Sequence, residues 1–423
     1  MDSDAERSGA TRRDAIRYCG VAGVGAFAGC AGSESPDDPN STDGGGSQTS
    51  TTDDGSSADG DGDGSDGDGS GDETAPYEAC IEPVGCLTFE SVPETYAVYN
   101  GGWADMAFAL GQQDGFLTAG NMIPSFFFEP FDLDVPSQDE LPSMWADGGW
   151  DKESFYELDP DVFLIDPNYL HGTGWDGSWS EADTAEIREN VAPFFGNNMR
   201  RRRGFHDYEL YGLYEGFERL ADLFQERERY EALAAVHEEL QTEIASRLPP
   251  EEERPEVGLI NGGSNPASGE IYPLYTRGEG YEMKPYRDLE VKSAFSEELA
   301  ESGAIGYERL LEVDPEIIVV HWGIGTTGDT DSHSASAFRE QYVTPMEEDE
   351  VGSELTAVSE GRVYPGAYGE QGPIVNLLQT EMKAQQLYPE EFGQFDPEAF
   401  PEVPEENRLF DRDRVNDIIA CDL

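Results

Sequence analysis

One thirteen-residue pattern occurs twice in this chain, and it constrains the fold more than any other feature. Glu153-Ser-Phe-Tyr-Glu-Leu-Asp-Pro-Asp-Val-Phe-Leu-Ile165 is echoed by Glu308-Arg-Leu-Leu-Glu-Val-Asp-Pro-Glu-Ile-Ile-Val-Val320. Each copy reads as a helical turn, an acidic Asp-Pro corner and a short, wholly apolar strand. An uninterrupted apolar strand is buried on both faces, as strands of parallel sheets are. Similar runs at Tyr96–Tyr99, Val191–Phe195 and Val257–Asn261 alternate with helical patterns, which is the signature of an α/β fold. Helices are expected from Trp103 to Leu110 and from about Tyr208 to Phe224.

Between the two copies, Tyr230, Leu233, Val236, Leu240, Ile244 and Leu248 recur at spacings of three and four, and Pro249-Pro250 stops the pattern. A helix over 226–247 would be roughly 33 Å long at 1.5 Å per residue, enough to bridge two lobes. The expected fold is therefore α/β, with two pseudo-symmetric lobes, each around a mostly parallel sheet, joined by one long helix. The boundaries are a leader over 1–30, a tether over 31–76, a first lobe over 77–225, the bridging helix over 226–248 and a second lobe over 249–423.

The leader places Arg12-Arg13 before a short, weakly apolar run, Tyr18–Ala28, too short for a spanning helix, which needs about 20 residues. It resembles a twin-arginine export signal and ends at Phe27-Ala-Gly-Cys30, which resembles a lipobox with Cys30 as the acylated residue. The tether is Gly, Ser, Thr, Asp and Pro without large apolar groups, so nothing offsets the entropy of ordering it. An exported chain can hold disulfides. Cys80 with Cys86 is one pairing, and Cys421 is an alternative partner for either.

Charge excludes one class of partner. With 26 Lys and Arg against 89 Asp and Glu, the formal charge is −63, so nucleic acid is not expected to bind. Acidity of this kind suits molar salt, where the Debye length falls to about 3 Å. Against this background Arg200-Arg201-Arg202-Arg203 is a local exception, able to grip carboxylates, catecholates or phosphates. No P-loop, Rossmann fingerprint, nucleophile elbow or zinc motif is present, and an enzyme is not expected. A carboxylate-dependent hydrolase and a passive surface protein are the competing classes.

The paired Asp-Pro corners, the single bridging helix, and the C-terminal run Gly361-Arg-Val-Tyr364, Gly372-Pro373 and Leu387-Tyr-Pro-Glu-Glu-Phe392 carry a family resemblance. The chain resembles the helix-hinged periplasmic binding proteins of iron-siderophore, haem and vitamin B12 importers, over about residues 90–393. The resemblance implies a lipid-anchored monomer at the outer face of the cell membrane. It implies a ferric-siderophore-type chelate as cargo, with cobalamin or haem as alternatives, no cofactor or resident metal, and an ABC permease with its ATPase as partners. It also implies that Glu153 and Glu308, one per lobe, dock on the permease.

Ligands of α/β sheets bind beyond the carboxyl ends of the strands. That rule selects Trp103, Tyr169, Arg200, Arg201, Arg202, Arg203, Tyr272, Trp322 and Tyr368 as ligand contacts. Trp175 is a further aromatic wall, and His171 and His321 are axial-ligand candidates for haem or cobalamin.

Overall fold

The computed structural model of the chain describes residues 17–18, 75–325 and 333–420. The acylation candidate Cys30, nearly all of the tether and Cys421 lie outside the described residues. The body opens with an antiparallel hairpin, β1 (Tyr77–Ile81) and β2 (Gly85–Phe89). Alternation along both strands buries Ala79, Ile81, Leu87 and Phe89. Cys80 and Cys86 face each other across the hairpin and form a disulfide.

The first lobe is built on a parallel sheet. Strand β3 (Tyr96–Asn100) lies between β4 (Phe116–Asn121) and β5 (Val162–Leu164). The strand expected over 191–195 contracts to a bridge between Phe194 and Phe163. Pro193 accepts from Phe163 N–H but has no N–H of its own with which to extend the ladder. Helix α1 (Gly101–Ala109) begins two residues earlier than expected, directly from β3. A Cβ at Gly101 would stand 2.6 Å from the Asn121 carbonyl, and one at Gly102 2.7 Å from that of Gln371. Two glycines therefore let the helix start press against a neighbouring strand end and against the second lobe. The first repeat is α2 (Lys152–Leu158) running into β5, followed by α3 (Pro167–Gly172) and α4 (Glu181–Asn190).

Helix α5 (Leu213–Phe224) starts later than expected from Tyr208, with Gly212 as its cap and the Tyr208 hydroxyl donating to Asp166 outside it. It turns at Gln225 into the bridging helix α6 (Arg227–Arg247), whose Leu233, Val236, Leu240 and Ile244 form the buried stripe.

The second lobe repeats the first. Its sheet runs β7–β6–β9–β10, from β6 (Glu256–Asn261), β7 (Pro273–Leu274), β9 (Ile317–His321) and β10 (Val363–Pro365). Strand β8 (Lys292–Ser293), which follows the short helix α7 (Lys284–Asp288), also pairs with β6. All pairings are parallel except β7 with β6. The second repeat is α8 (Tyr307–Val313) running into β9.

The two Asp-Pro corners are physically equivalent. Each helix ends on a left-handed aspartate, Asp159 at φ 40° and Asp314 at φ 46°. At the next acid, the Asp161 carboxylate accepts from Thr95 N–H at 2.9 Å and that of Glu316 from Glu256 N–H at 2.9 Å. Each corner thus pins a helix to the start of the central strand of its own sheet.

Helix α9 (Pro373–Leu387) is buried along its whole length and packs against α1, α5, α6 and α7. The chain then crosses back. Phe400 meets Phe126 and Phe127, Phe410 stacks on Phe131, and α10 (Arg412–Ala420) lies on α6. Residues 373–420 therefore contact the first lobe and the bridging helix as well as the second lobe, to which the sequence boundary assigned them.

Candidate functional site: the cleft at the strand ends

The carboxyl ends of both sheets converge. Asn100 ends β3, Asn121 ends β4, His321 ends β9, and Tyr368-Gly-Glu370 follows β10. The arginine run follows the Phe194 bridge, and Asp166 holds it in place. That carboxylate caps α3 at Asn168 N–H (2.9 Å) and accepts from Asn198 N–H (2.9 Å) and the Tyr208 hydroxyl. Burial raises the Asp166 carboxyl to about 6 against the pull of those donors.

At the centre lies a carboxylate–guanidinium–carboxylate cluster. Arg200 Nη2 is 2.8 Å from Glu282 Oε1 and its Nη1 is 3.1 Å from Glu370 Oε1. The guanidinium lies 4.7 Å from the Trp322 ring centre, and Trp322 packs edge-on to Tyr368 at 4.5 Å. Trp322 takes a left-handed φ of 71°, unusual for so large a residue, at the turn out of β9. Glu282 also contacts His321 Nε2 at 3.1 Å and Arg201 Nε at 3.7 Å. Burial alone would raise Glu282, but Arg200, His321 and Arg201 hold it below the ordinary carboxylate range. Burial lowers His321 against the opposing pull of Glu282.

The sequence candidates divide into three groups. Arg200 is fixed between two glutamates, and Arg202 pairs with Glu279 at the surface. Arg201 is half-exposed, and Arg203 places its guanidinium 5.5 Å from the ring centre of Trp175. Trp175, 48% exposed, meets the edge of Tyr169 at 5.3 Å, and Tyr169 packs on Tyr99 at 4.9 Å. Trp322 and Tyr368 stand at the central cluster, with the Tyr368 hydroxyl donating to Met122 O across the lobes at 3.0 Å.

Three candidates are corrected, and Tyr169, 1% exposed, is one of them, since it belongs to the core of the first lobe. Trp103 is only 2% exposed and belongs to the core, because α1 is buried along its whole length. The Tyr272 hydroxyl donates to Glu270 rather than to a cleft group. His171 is 3.1 Å from the Thr184 hydroxyl, and His321 is buried against Glu282, so neither presents a free ring to the cleft. Glu153 and Glu308 stand exposed in the first turns of α2 and α8. Among the described residues no group of three or more His, Cys, Asp or Glu is placed to hold a metal ion. Asn121, Tyr281, Glu282 and Glu370 were not singled out from the sequence. Buried glutamates carry no mark among so many exposed ones.

Two parallel-sheet lobes on one helix, with cationic and aromatic groups where the strand ends face each other, define a two-lobed solute-binding protein. The chain belongs to the periplasmic binding protein family, whose profile matches residues 97–366. No curated protein sequence matches it.

Among solved structures it is similar to the iron uptake ABC transporter substrate-binding protein PiuA of Streptococcus pneumoniae. The TM-score is 0.51 at 15% identity, covering 74% of this chain and 99% of that one. A periplasmic binding protein of Veillonella parvula gives 0.50 at 14% identity, covering 74% and 97%. Ceue of Helicobacter pylori, with Ni(II) bound, gives 0.50 at 14%, covering 76% and 91%. At such identities these likenesses establish the fold. A substrate-binding role, an ABC permease as partner and a working place outside the membrane go with the family.

Proposed function

We propose that the chain is the lipid-anchored, extracellular solute-binding component of an ABC importer, and that its cargo is an anionic metal chelate of the ferric-siderophore type. The charge of the cleft carries this reading. Three guanidinium groups, Arg200, Arg201 and Arg203, stand against two carboxylates, Glu282 and Glu370, in a chain of formal charge −63. Arg201 and Arg203 retain donors for an anion, and the exposed Trp175 offers a flat apolar face beside them. A guanidinium beside an indole suits a ligand both anionic and aromatic or extended in its chelating arms. Acylation at Cys30 and the acidic tether would hold the lobes near the membrane, where Glu153 and Glu308 present one carboxylate per lobe to the permease.

Tryptophan fluorescence in molar salt tests the cargo, using ferric catecholate and hydroxamate chelates, haem, cobalamin, a sugar and an oligopeptide. A ferric chelate should quench. Arg203→Ala should weaken it by about tenfold or more, the loss expected of one charge-assisted hydrogen bond. Binding of the sugar or peptide with no response to any chelate refutes the cargo, and a response to haem or cobalamin alone moves it within the family. Glu153→Arg with Glu308→Arg should leave chelate binding intact and abolish uptake by whole cells. Undiminished uptake refutes the docking role. Cys30→Ser should release the protein into the medium, and a variant that stays membrane-bound refutes the anchor.

A further inference from the structure

Four donors meet at the Glu370 carboxylate, and three of them come from the opposite lobe. Oε1 accepts from Asn100 Nδ2 at 2.9 Å, Asn121 Nδ2 at 3.2 Å and Arg200 Nη1 at 3.1 Å. Oε2 accepts from the Tyr281 hydroxyl at 2.6 Å. Glu370 and Tyr281 are fully buried, and Arg200 nearly so. Two amides, a guanidinium and a phenol directed at one point are the donor set of an anion-binding site. Here the anion is part of the protein.

The surroundings are knitted across the same boundary. Tyr281 N–H donates to Met199 O at 3.0 Å and Glu282 N–H to Arg200 O at 3.2 Å. Gly280, at φ 89°, sits so close to the Arg200 carbonyl that any Cβ would overlap it. Asp105 of α1 accepts from the backbone N–H groups of Gly372, Ile374 and Val375 at the start of α9.

We propose that Asn100, Asn121, Arg200 and Tyr281 form an anion seat at the facing strand ends, and that Glu370 fills it as an intramolecular clasp holding the lobes together before any cargo arrives. Separating the lobes would break three hydrogen bonds to the buried Glu370 at once, bonds to a charged acceptor that are stronger in this dry interface than they would be in water. Burial also protects the clasp from salt. The exposed Arg202–Glu279 pair is open to screening, whereas buried pairs are screened much less. If the proposed cargo is correct, it is read by Arg201, Arg203 and Trp175 outside the clasp, and Glu370 is a positioning residue rather than a contact. The clasp itself does not depend on that reading.

The test therefore uses the full chain without cargo. In Glu370→Ala, the amides of Gly372, Ile374 and Val375 should exchange with deuterium at least about a hundredfold faster, as removal of one partner of a buried charge pair implies. Amides of β6 and β9 should be unchanged. Acetate replaces the atoms removed beyond Cβ and should slow the exchange again, while chloride at the same ionic strength should not. Unchanged exchange, uniform acceleration through both sheets, or equal rescue by chloride overturns the proposal. Asn121→Ala keeps the test open if Glu370→Ala does not fold. Losing that one donor should speed the same three amides about tenfold, and no change there overturns the clasp.

Discussion

Replacing Asp105 by Asn changes one atom at a position where burial and hydrogen bonding act in opposite directions. The side chain is fully buried in α1, and its oxygens accept from Gly372 N–H at 2.6 Å, Val375 N–H at 3.0 Å and Ile374 N–H at 3.1 Å. Those donors, at the positive end of α9, favour the ionised form. Burial disfavours it and prevails, raising the carboxyl from 3.8 to about 7. At about 1.36 kcal/mol per tenfold change, the folded chain is then roughly 4 kcal/mol less stable with Asp105 ionised than with it protonated. Because the folded value is raised, this contribution is fully present below about pH 4 and is lost as pH rises through 7. About 2 kcal/mol of the loss falls between pH 5 and 7.

Asn keeps one acceptor for two of the N–H groups, sets an NH2 against the third, and does not titrate. Urea unfolding of both proteins at constant molar salt, from pH 4 to 8, isolates the effect, since the other carboxylates cancel in the difference. The wild type should lose ground steadily to Asp105→Asn as pH rises. If it gains ground instead, the helix-end donors outweigh burial and the reasoning about this interface is wrong.

Three further perturbations follow from the same contacts. Gly280→Ala combines a left-handed φ of 89° with overlap on the Arg200 carbonyl. It should cost about 2–3 kcal/mol in urea unfolding, and a loss below about 0.5 kcal/mol would mean that the two segments are not held in contact. Arg412→Ala leaves Glu381 buried on α9 without its cation. A loss of about 3–5 kcal/mol is expected, and Glu381→Gln in the same background should recover part of it. Cys80→Ser opens a short disulfide loop at the start of the body. About 2 kcal/mol should be lost on the chain-entropy account, with no change in the cleft residues' amide exchange.

The features readable from the sequence were those whose cause is local. A helix ending on a left-handed aspartate, a proline, an acid that caps the strand start and then an apolar strand is one short chemical sentence, so its two occurrences at Asp159–Asp161 and Asp314–Glu316 could be matched without knowing the fold. The buried stripe of α6 was legible for the same reason, since period alone determines which side of a helix is apolar. Helix α9 shows where this stops. It is buried all round yet carries Asn376, Gln379, Glu381, Lys383 and Gln386, so no amphipathic pattern marks it as the element between the lobes.

The cleft was half legible. Four arginines were conspicuous against the acidic background, but the glutamates that fix Arg200 come from segments 82 and 170 residues away. In a chain with 89 acids, composition cannot distinguish the two that are buried against Arg200. The acidity that singled out the arginines thus concealed their partners, and only the convergence of the strand ends distinguishes Arg200, gripped by two buried glutamates of the second lobe, from the half-exposed Arg201 and from Arg203 beside Trp175.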